Sequence, residues 1–481
     1  MKKFVSIALA LIISLSLLSL CASAINAGSS EVNVWDGTSA AGFSTGSGTP
    51  SDPYVITTGA ELDLLASTCR GGEHYANVYF KLGADIDWAG NYWTPIGYDT
   101  TNLFAGHFDG NGQTVYNFVC EEQYAGFFGV IKEGSVKNLK IDYATFTTGE
   151  RYAGAIASWM KLSTIEGCSA GENVVVKTGS IMEKTAQMGG LFGIVHSSTV
   201  NACSFYGTVE ALKCISGSCF VGGIAGYVGG DAVMKNCINY GTVKNPNPHA
   251  AEGERAYVGG VTGCIGASSA IGTIENCINF GTVESIEVAG GVIGRVHVAG
   301  SIMKNCYNVG TVTAPKGGVL VGELSKEYVF EGNLGAVSDN VTNAVGVLGA
   351  EIAAPTDAQL KIADAEAVKT EKGFTDGEGE AAVLIPIFNF VTPVEPADTT
   401  LPEETTKAPD EETTEAPDDE TTKADEATKE DTAAPATPEA TTKAPDDETT
   451  KVPEKSGCGA AVSFGVLLLC VLPVAIIFKK H

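Results

Sequence analysis

The sequence predicts an all-β fold: a right-handed parallel β-helix with small helical caps, a disordered stalk behind it and one C-terminal transmembrane helix. Three observations predict the solenoid. One phrase is written three times between Met234 and Val312, as MKNCINYGTV, IENCINFGTV and MKNCYNVGTV. A glycine phrase follows each copy, as GGVTG, GGVIG and the looser GGVLVG. The units are short, rich in Val, Ile and Thr, and broken by Asn and Gly every few residues, with no apolar spacing at three and four that persists for three turns. Such a period marks a repeat architecture in which each unit buries its apolar side only against its neighbours. The residue types make the units strands and not helices.

Weaker copies extend the repeat backwards. The apolar residue two places before the Asn recurs as Val115, Val136, Ile165, Val200, Met234, Ile274 and Met303. Three places beyond it lie Phe118, Leu139, Cys168, Cys203, Cys237, Cys277 and Cys306. The glycine phrase appears as GFFG at Gly126, GAIA at Gly154, GLFG at Gly190 and GIAG at Gly223. Three strands per turn, bent at Asn and Gly where positive φ is available, would coil the chain. Stacked rungs place equal residues above one another, so inward Asn117, Asn138, Asn236, Asn276 and Asn305 are expected to bond their amides in two ladder segments, interrupted at Gly167 and Ala202.

These phrases carry a resemblance. GLFG, the opening FAGHFDGNGQTVYNF and the IxNCxNxGTV units resemble the GLUG-motif repeats of adhesin-like bacterial surface proteins over roughly residues 85–324. The resemblance implies a parallel β-helix displayed outside the cell; for activity it implies little, because a fold does not fix a function.

Taken in order, residues 1–24 read as a signal peptide: Lys2 and Lys3, an apolar run from Phe4 to Leu20, then Ala22-Ser23-Ala24. Residues 25–98 form an N-terminal cap region, in which Thr58 and Glu61 make a capping box for a short helix through Leu65. The solenoid spans 99–345. A C-terminal cap at 346–391 pairs a helix from Thr356 to about Lys369, opened by Thr356 and Gln359, with a strand at 383–388. Residues 392–457 are an acidic Thr/Pro-rich stalk. Its stretch to Ser456 holds half of the 18 prolines and 20 acidic against 6 basic residues, a composition that buries nothing and stays extended.

Cys458–Phe478 is a run of 21 uncharged residues, about 31 Å as a helix, which matches a bilayer core. Lys479, Lys480 and His481 then form a cytoplasmic tail at 479–481, which places the N-terminal ectodomain outside. The expected location is the cell membrane, crossed once. Signal, Thr/Pro stalk, apolar span and basic end also resemble a sortase-processed wall protein of Gram-positive bacteria. LPEET at Leu401 and VPEKSG at Val452 both depart from the sorting pentapeptide, so wall linkage is the alternative.

Chemistry-bearing residues are few. Asp85 and Asp87 share a face but belong to the turn sequence ADIDWAGNYWTPIG; Trp88 and Trp93 could stack on sugars or plug the end of the stack. The AspGlyAsnGly turn at 109–112 lacks the closing carboxylate of a calcium loop. His74, His107, His196, His249 and His297 are scattered, and no Cys-x-x-Cys occurs. The loop from Lys244 to Tyr257 carries Glu252, Glu254 and Arg255 as a solvated ion-pair cluster and the first place to look for a partner contact. Five ectodomain cysteines hold one repeat position and read as reduced core residues, whereas Cys214 and Cys219 are the candidates for a bridge. Asn340-Val341-Thr342 is a chance sequon. No catalytic, cofactor-binding or metal site is assigned, and no cofactor is expected. The net charge of −27 disfavours nucleic acid as a partner. The expected function is non-catalytic adhesion or binding of an extracellular glycan or protein, with membrane contact through 458–478; the alternative is a polysaccharide lyase or hydrolase on the same scaffold.

Overall fold

The computed structural model describes residues 33–179, 185–212, 217–247, 255–266, 270–372, 375–376 and 384–385. The signal peptide, stalk, membrane span and tail expected from the sequence lie outside the described residues.

The repeat folds as expected into a parallel β-solenoid. Four sheets run along it: sheet I of ten strands, from Tyr54–Ile56 to Tyr328–Glu331; sheet II of sixteen; sheet III of seven; and sheet IV of eight. Every strand pairing between successive turns in these sheets is parallel. One turn shows the design. Ala232–Lys235 lies in sheet I, Ile238–Asn239 and Thr242–Asn245 in sheet II, Ala256–Gly259 in sheet III and Thr262–Ile265 in sheet IV. This turn therefore has five short strands, not three, while the early turns cross sheet II in one longer strand, Thr114–Glu121 or Lys140–Thr148, and have four. The additional breaks come from glycine: the phrase GGVTG, read as one strand with its flanks, turns a corner between sheets III and IV.

The bend between sheets I and II is left-handed in every turn. Asn138, Gly167, Ala202, Asn236, Asn276, Asn305 and Gly332 form one column with φ between 48° and 66°. Asn and Gly accept this conformation easily, whereas Ala202 pays about 1–2 kcal/mol for it.

Three residues leave the expected columns. Val115 pairs with Ile141 and Phe118 with Ala144, so Val115, Asn117 and Phe118 belong to sheet II; Phe108 takes the place beside Val136. The bend asparagines also do not face inward. Asn138 and Asn305 are exposed; one expected ladder bond forms, Asn276 Nδ2 to Asn236 Oδ1 at 3.3 Å, and the remaining amides find other partners: Asn138 Nδ2 donates to Asp109, Asn236 Nδ2 to Asn201 and, in sheet II, Asn117 Nδ2 to Asp87. The buried ladder is built by the second Asn of each phrase. Asn239 Nδ2 donates to Asn279 Oδ1 at 2.7 Å, and Asn279 Nδ2 to Asn308 Oδ1 at 2.8 Å. Each of these amides also closes the turn at Gly241, Gly281 or Gly310.

A helix and a cluster of aromatic rings fill the N-terminal end of the described solenoid. Helix α1 (Gly59–Arg70) starts at Thr58, whose hydroxyl accepts from the Glu61 amide, and runs five residues past the expected end at Leu65. The Glu61 carboxylate accepts from Thr57 and Ser44, which fastens the preceding chain to the helix. Trp88 and Trp93 are buried edge to face against each other, with Trp35 stacked on the first and Phe127 on the second, so they fill this end of the solenoid and offer no face to a sugar. At the other end Thr356 and Gln359 do make their box, but a strand, Leu360–Ala363, follows it. It pairs with Asn333–Ala336 as the last strand of sheet II, and helix α2 (Ala365–Lys372) begins only afterwards. The expected final strand is seen at Leu384–Ile385, paired antiparallel with Thr375–Asp376; the rest of 383–388 lies outside the described residues.

Candidate functional site

The glycine corner between sheets III and IV creates a cleft. A Cβ placed on Gly263 would lie 2.3 Å from the Val221 amide nitrogen of the preceding turn; on Gly226, 2.3 Å from that of Met188. Real side chains never come so close, so the last glycine of the phrase lets the two sheets fold sharply toward each other. The side chains on either side of this corner point outward and share the angle.

On sheet III the outward column runs Tyr124, Tyr152, Gln187, Phe220, Tyr257 and Val288. On sheet IV it runs Val130, Trp159, Ile194, Tyr227, Cys264, Arg295 and Glu323. Most of these pack as an apolar cluster separate from the solenoid core. A cleft of about 300 Å³ opens over them, lined by Tyr152, Trp159, Gln187, Ile194, His196, Phe220, Tyr227, Cys264 and His297. It spans four inter-turn steps from Lys161's neighbours to His297, about 19 Å at the spacing of paired strands.

The rest of the cleft is electrically quiet. At its far end the Arg295 guanidinium sits 4.7 Å above the Tyr257 ring and is paired with Glu323 at 3.2 Å. Arg255 reaches the other oxygen of the same carboxylate at 3.5 Å, so one acid is clamped between two bases from different turns. Burial holds the imidazoles of His196 and His297 below the ordinary range, and neighbouring cations (Lys161 for the first, Arg295 and Lys326 for the second) push the same way. Both rings are neutral at pH 7. Burial also pushes the Tyr257 hydroxyl up and the Cys264 thiol to about 12, so neither ionises. Gln187 Oε1 is buried without a hydrogen-bond partner.

The structure places the other sequence candidates in structural roles. Asp85 accepts from the Thr114 amide; Asp87 accepts from Ala89 and Asn117. Asp109 braces its own turn through Asn111 and pairs with Lys137. His74 bonds the Thr101 carbonyl and His107 the Ser135 hydroxyl. Arg255 joins the cleft end as described, whereas Glu252, Glu254 and His249 lie outside the described residues. Asn340 stands beside the short bridge between Ser338 and Val341. Cys168, Cys203, Cys237, Cys277 and Cys306 are free and buried in one core column, as expected. Cys219 is disulfide-bonded, while its expected partner Cys214 lies outside the described residues.

Sequence reasoning found none of the cleft residues as a set. Aromatic residues flank the glycine phrase two places before its double glycine, at Phe220 and Tyr257, and directly after its last glycine, at Tyr227. That flanking position was the available signal, diluted by Gln187, Ile194 and Cys264.

No family model matches the chain. A stretch of 121 residues, 24% of the chain, is 39% identical to a protein of Evansella cellulosilytica provisionally named a Gly-rich membrane protein, of which it spans 14%. A stretch of 181 residues, 35% of the chain, is 31% identical to halomucin of Haloquadratum walsbyi, of which it spans 2%. The chain thus matches only a small part of either relative's length. Among solved structures, a Bacteroides ovatus protein provisionally named an immunoglobulin A1 protease aligns over 70% of this chain and 93% of its own, at 21% identity and a TM-score of 0.48.

Proposed function

We propose that this chain is a cell-surface solenoid that binds an extended glycan in the cleft between sheets III and IV and does not cleave it. The observation that carries the reading is the cleft itself: half-exposed Tyr152 and Trp159 at its mouth over a buried aromatic floor, with hydrogen-bonding groups beside them, a combination that suits a sugar ring. The lyase or hydrolase alternative needs two carboxylates, or a base beside clustered acids, converging on the substrate. None of the described residues lining the cleft is a carboxylate, and Glu323 nearby is occupied by two arginines.

The names of the two relatives, one a membrane protein, support a membrane or surface setting. Within it, the finer reading is a GLUG-type, right-handed solenoid at 99–345 between caps at 25–98 and 346–391. A signal peptide at 1–24 exports it, the stalk at 392–457 raises it, and the span at 458–478 anchors it, with sortase linkage as the other mode of attachment.

The test is binding of the full chain to immobilised glycan panels, repeated with Trp159→Ala. Loss of about tenfold or more in affinity, with circular dichroism unchanged, supports the cleft. A folded wild-type chain that binds no glycan contradicts the reading.

A further inference from the structure

We infer that two copies of this chain pair face to face and antiparallel through the outer surface of sheet I, about a two-fold axis at Asn201. The inference goes beyond the glycan-binding reading and uses a different face of the solenoid.

Alternate residues of each sheet I strand point outward, and parallel pairing stacks them into columns. One column is charged. It runs Lys81, Asp109, Lys137, Glu166, Asn201, Lys235, Glu275, Lys304 and Glu331, one residue to each turn. None of these residues is buried. The column beside it, from Ser135 through Thr199 to Val329, holds only Ser, Thr, Val and Ile. Side chains branched at Cβ are stiff, so pressing them against a partner costs little rotamer freedom.

Alternating sign within the charged column has a local cause. Neighbouring turns bring opposite charges together: Lys137 pairs with Asp109 at 3.4 Å and Lys304 with Glu331 at 3.2 Å. Strict alternation over the whole column would begin and end on the same sign, and an antiparallel copy would meet like charges throughout. The alternation slips once, at neutral Asn201, and the slip makes the two halves opposite in sign. Outward from Asn201, one half runs Glu166, Lys137, Asp109, Lys81 and the other Lys235, Glu275, Lys304, Glu331.

A half-turn about the strand direction through Asn201 lays each column over itself and reverses the order of turns. Glu166 then faces the partner's Lys235, Lys137 the partner's Glu275, and Asp109 the partner's Lys304. Lys81 and the partner's Glu331 extend the pattern by one pair, and Asn201 meets its own equivalent. Among the described residues, Lys81, Glu166, Lys235 and Glu275 make no ion pair within the copy, so charges left over in one chain are matched by the other. Copies aligned parallel and in register would set every charge against its own kind, so charge selects the antiparallel arrangement.

The size of the face sets the strength. The charged column is about 38 Å long and its three-residue strands about 10 Å wide, a footprint of roughly 400 Å². That is half of the roughly 800 Å² a side in a standard interface, and a weak, salt-sensitive pairing follows. On the anchorage proposed above, antiparallel pairing is the orientation that copies rooted in facing surfaces require.

The test is sedimentation velocity of the full chain in mild detergent, from about 10 μM to about 1 mM, at low and at high salt. A monomer–dimer equilibrium near 100 μM is expected at low salt, weakened about tenfold or more at high salt. Glu166→Lys alone and Lys235→Glu alone each create two like-charge contacts by symmetry and are expected to weaken pairing at least about tenfold. An equimolar mixture of the two variants, in which each reversal meets its complement, is expected to pair within about threefold of the unaltered chain. Lys137→Glu mixed with Glu275→Lys repeats the test farther from the axis should either first variant fail to fold by circular dichroism. An unaltered chain that stays monomeric throughout overturns the inference, as does a dimer that neither reversal weakens. Failure of the mixture to recover overturns the antiparallel register. None of these outcomes bears on glycan binding in the cleft.

Discussion

The Asn239, Asn279 and Asn308 amides show what one residue contributes to a stacked fold. Asn279 sits in the middle: its Oδ1 accepts from Asn239 and from the Gly281 amide, and its Nδ2 donates to Asn308 and to the Gly281 carbonyl. Asn279→Leu would strand groups on both neighbours and in the turn, each buried. A loss of about 3 kcal/mol in unfolding free energy is expected, read as a fall in denaturant midpoint. The histidines make a second residue-scale prediction. His107, His196 and His297 each have a folded pKa below the ordinary 6.5, with burial the first cause in all three. The unfolded chain therefore binds protons more readily. Stability is fully present above about 6.5 and is lost as pH falls through the depressed folded values. The melting temperature should drop between pH 7 and pH 5, and the drop should shrink in the His196→Gln, His297→Gln double variant.

At the scale of the element, the glycine corner decides how sheets III and IV meet. Gly263→Ala drives a methyl into the Val221 amide and the Phe220 carbonyl carbon, both backbone and neither able to swing away. A destabilisation of about 1–3 kcal/mol or more is expected from thermal melts, against almost none for Gly42→Ala, where a Cβ meets nothing within 4 Å. Strands and bends were legible because their causes are local: β-branched residues between Asn and Gly, with the Cys column following the bend. Val115, Asn117 and Phe118 were misplaced because they share the local pattern while the chain there pairs one strand earlier, a matter of long-range register. The second capping box failed for a similar reason. Thr356 and Gln359 form their local bonds, but the free edge of Asn333–Ala336 captures residues 360–363 as a strand before a helix can form.

At the scale of the whole molecule, the solenoid turns a sequence repeat into a surface. Tyr152, Gln187 and Phe220 are far apart in the chain and follow one another in a single column of the fold, and only stacking brings them into one cleft. This is why the cleft was not legible. The core repeats in residue type from turn to turn, so it announces itself, whereas an outward column is not held to one residue type by packing inside the stack. Rings stack from turn to turn in both places: Tyr206, Tyr240 and Phe280 lie flat against one another at 4.7 and 5.3 Å, and Phe220 and Tyr257 do so in the cleft at 5.7 Å. Hydrogen–deuterium exchange of the full chain, with and without a glycan taken from the binding panel, tests the central claim most directly. Joint protection of Tyr152–Ala153, Ala157–Lys161, Ala186–Gly189, Phe192–His196, Cys219–Gly222 and Ala225–Gly229 is the predicted result. Protection confined to one of these strands, or to the sheet II strands that carry Tyr206 and Tyr240, would contradict it.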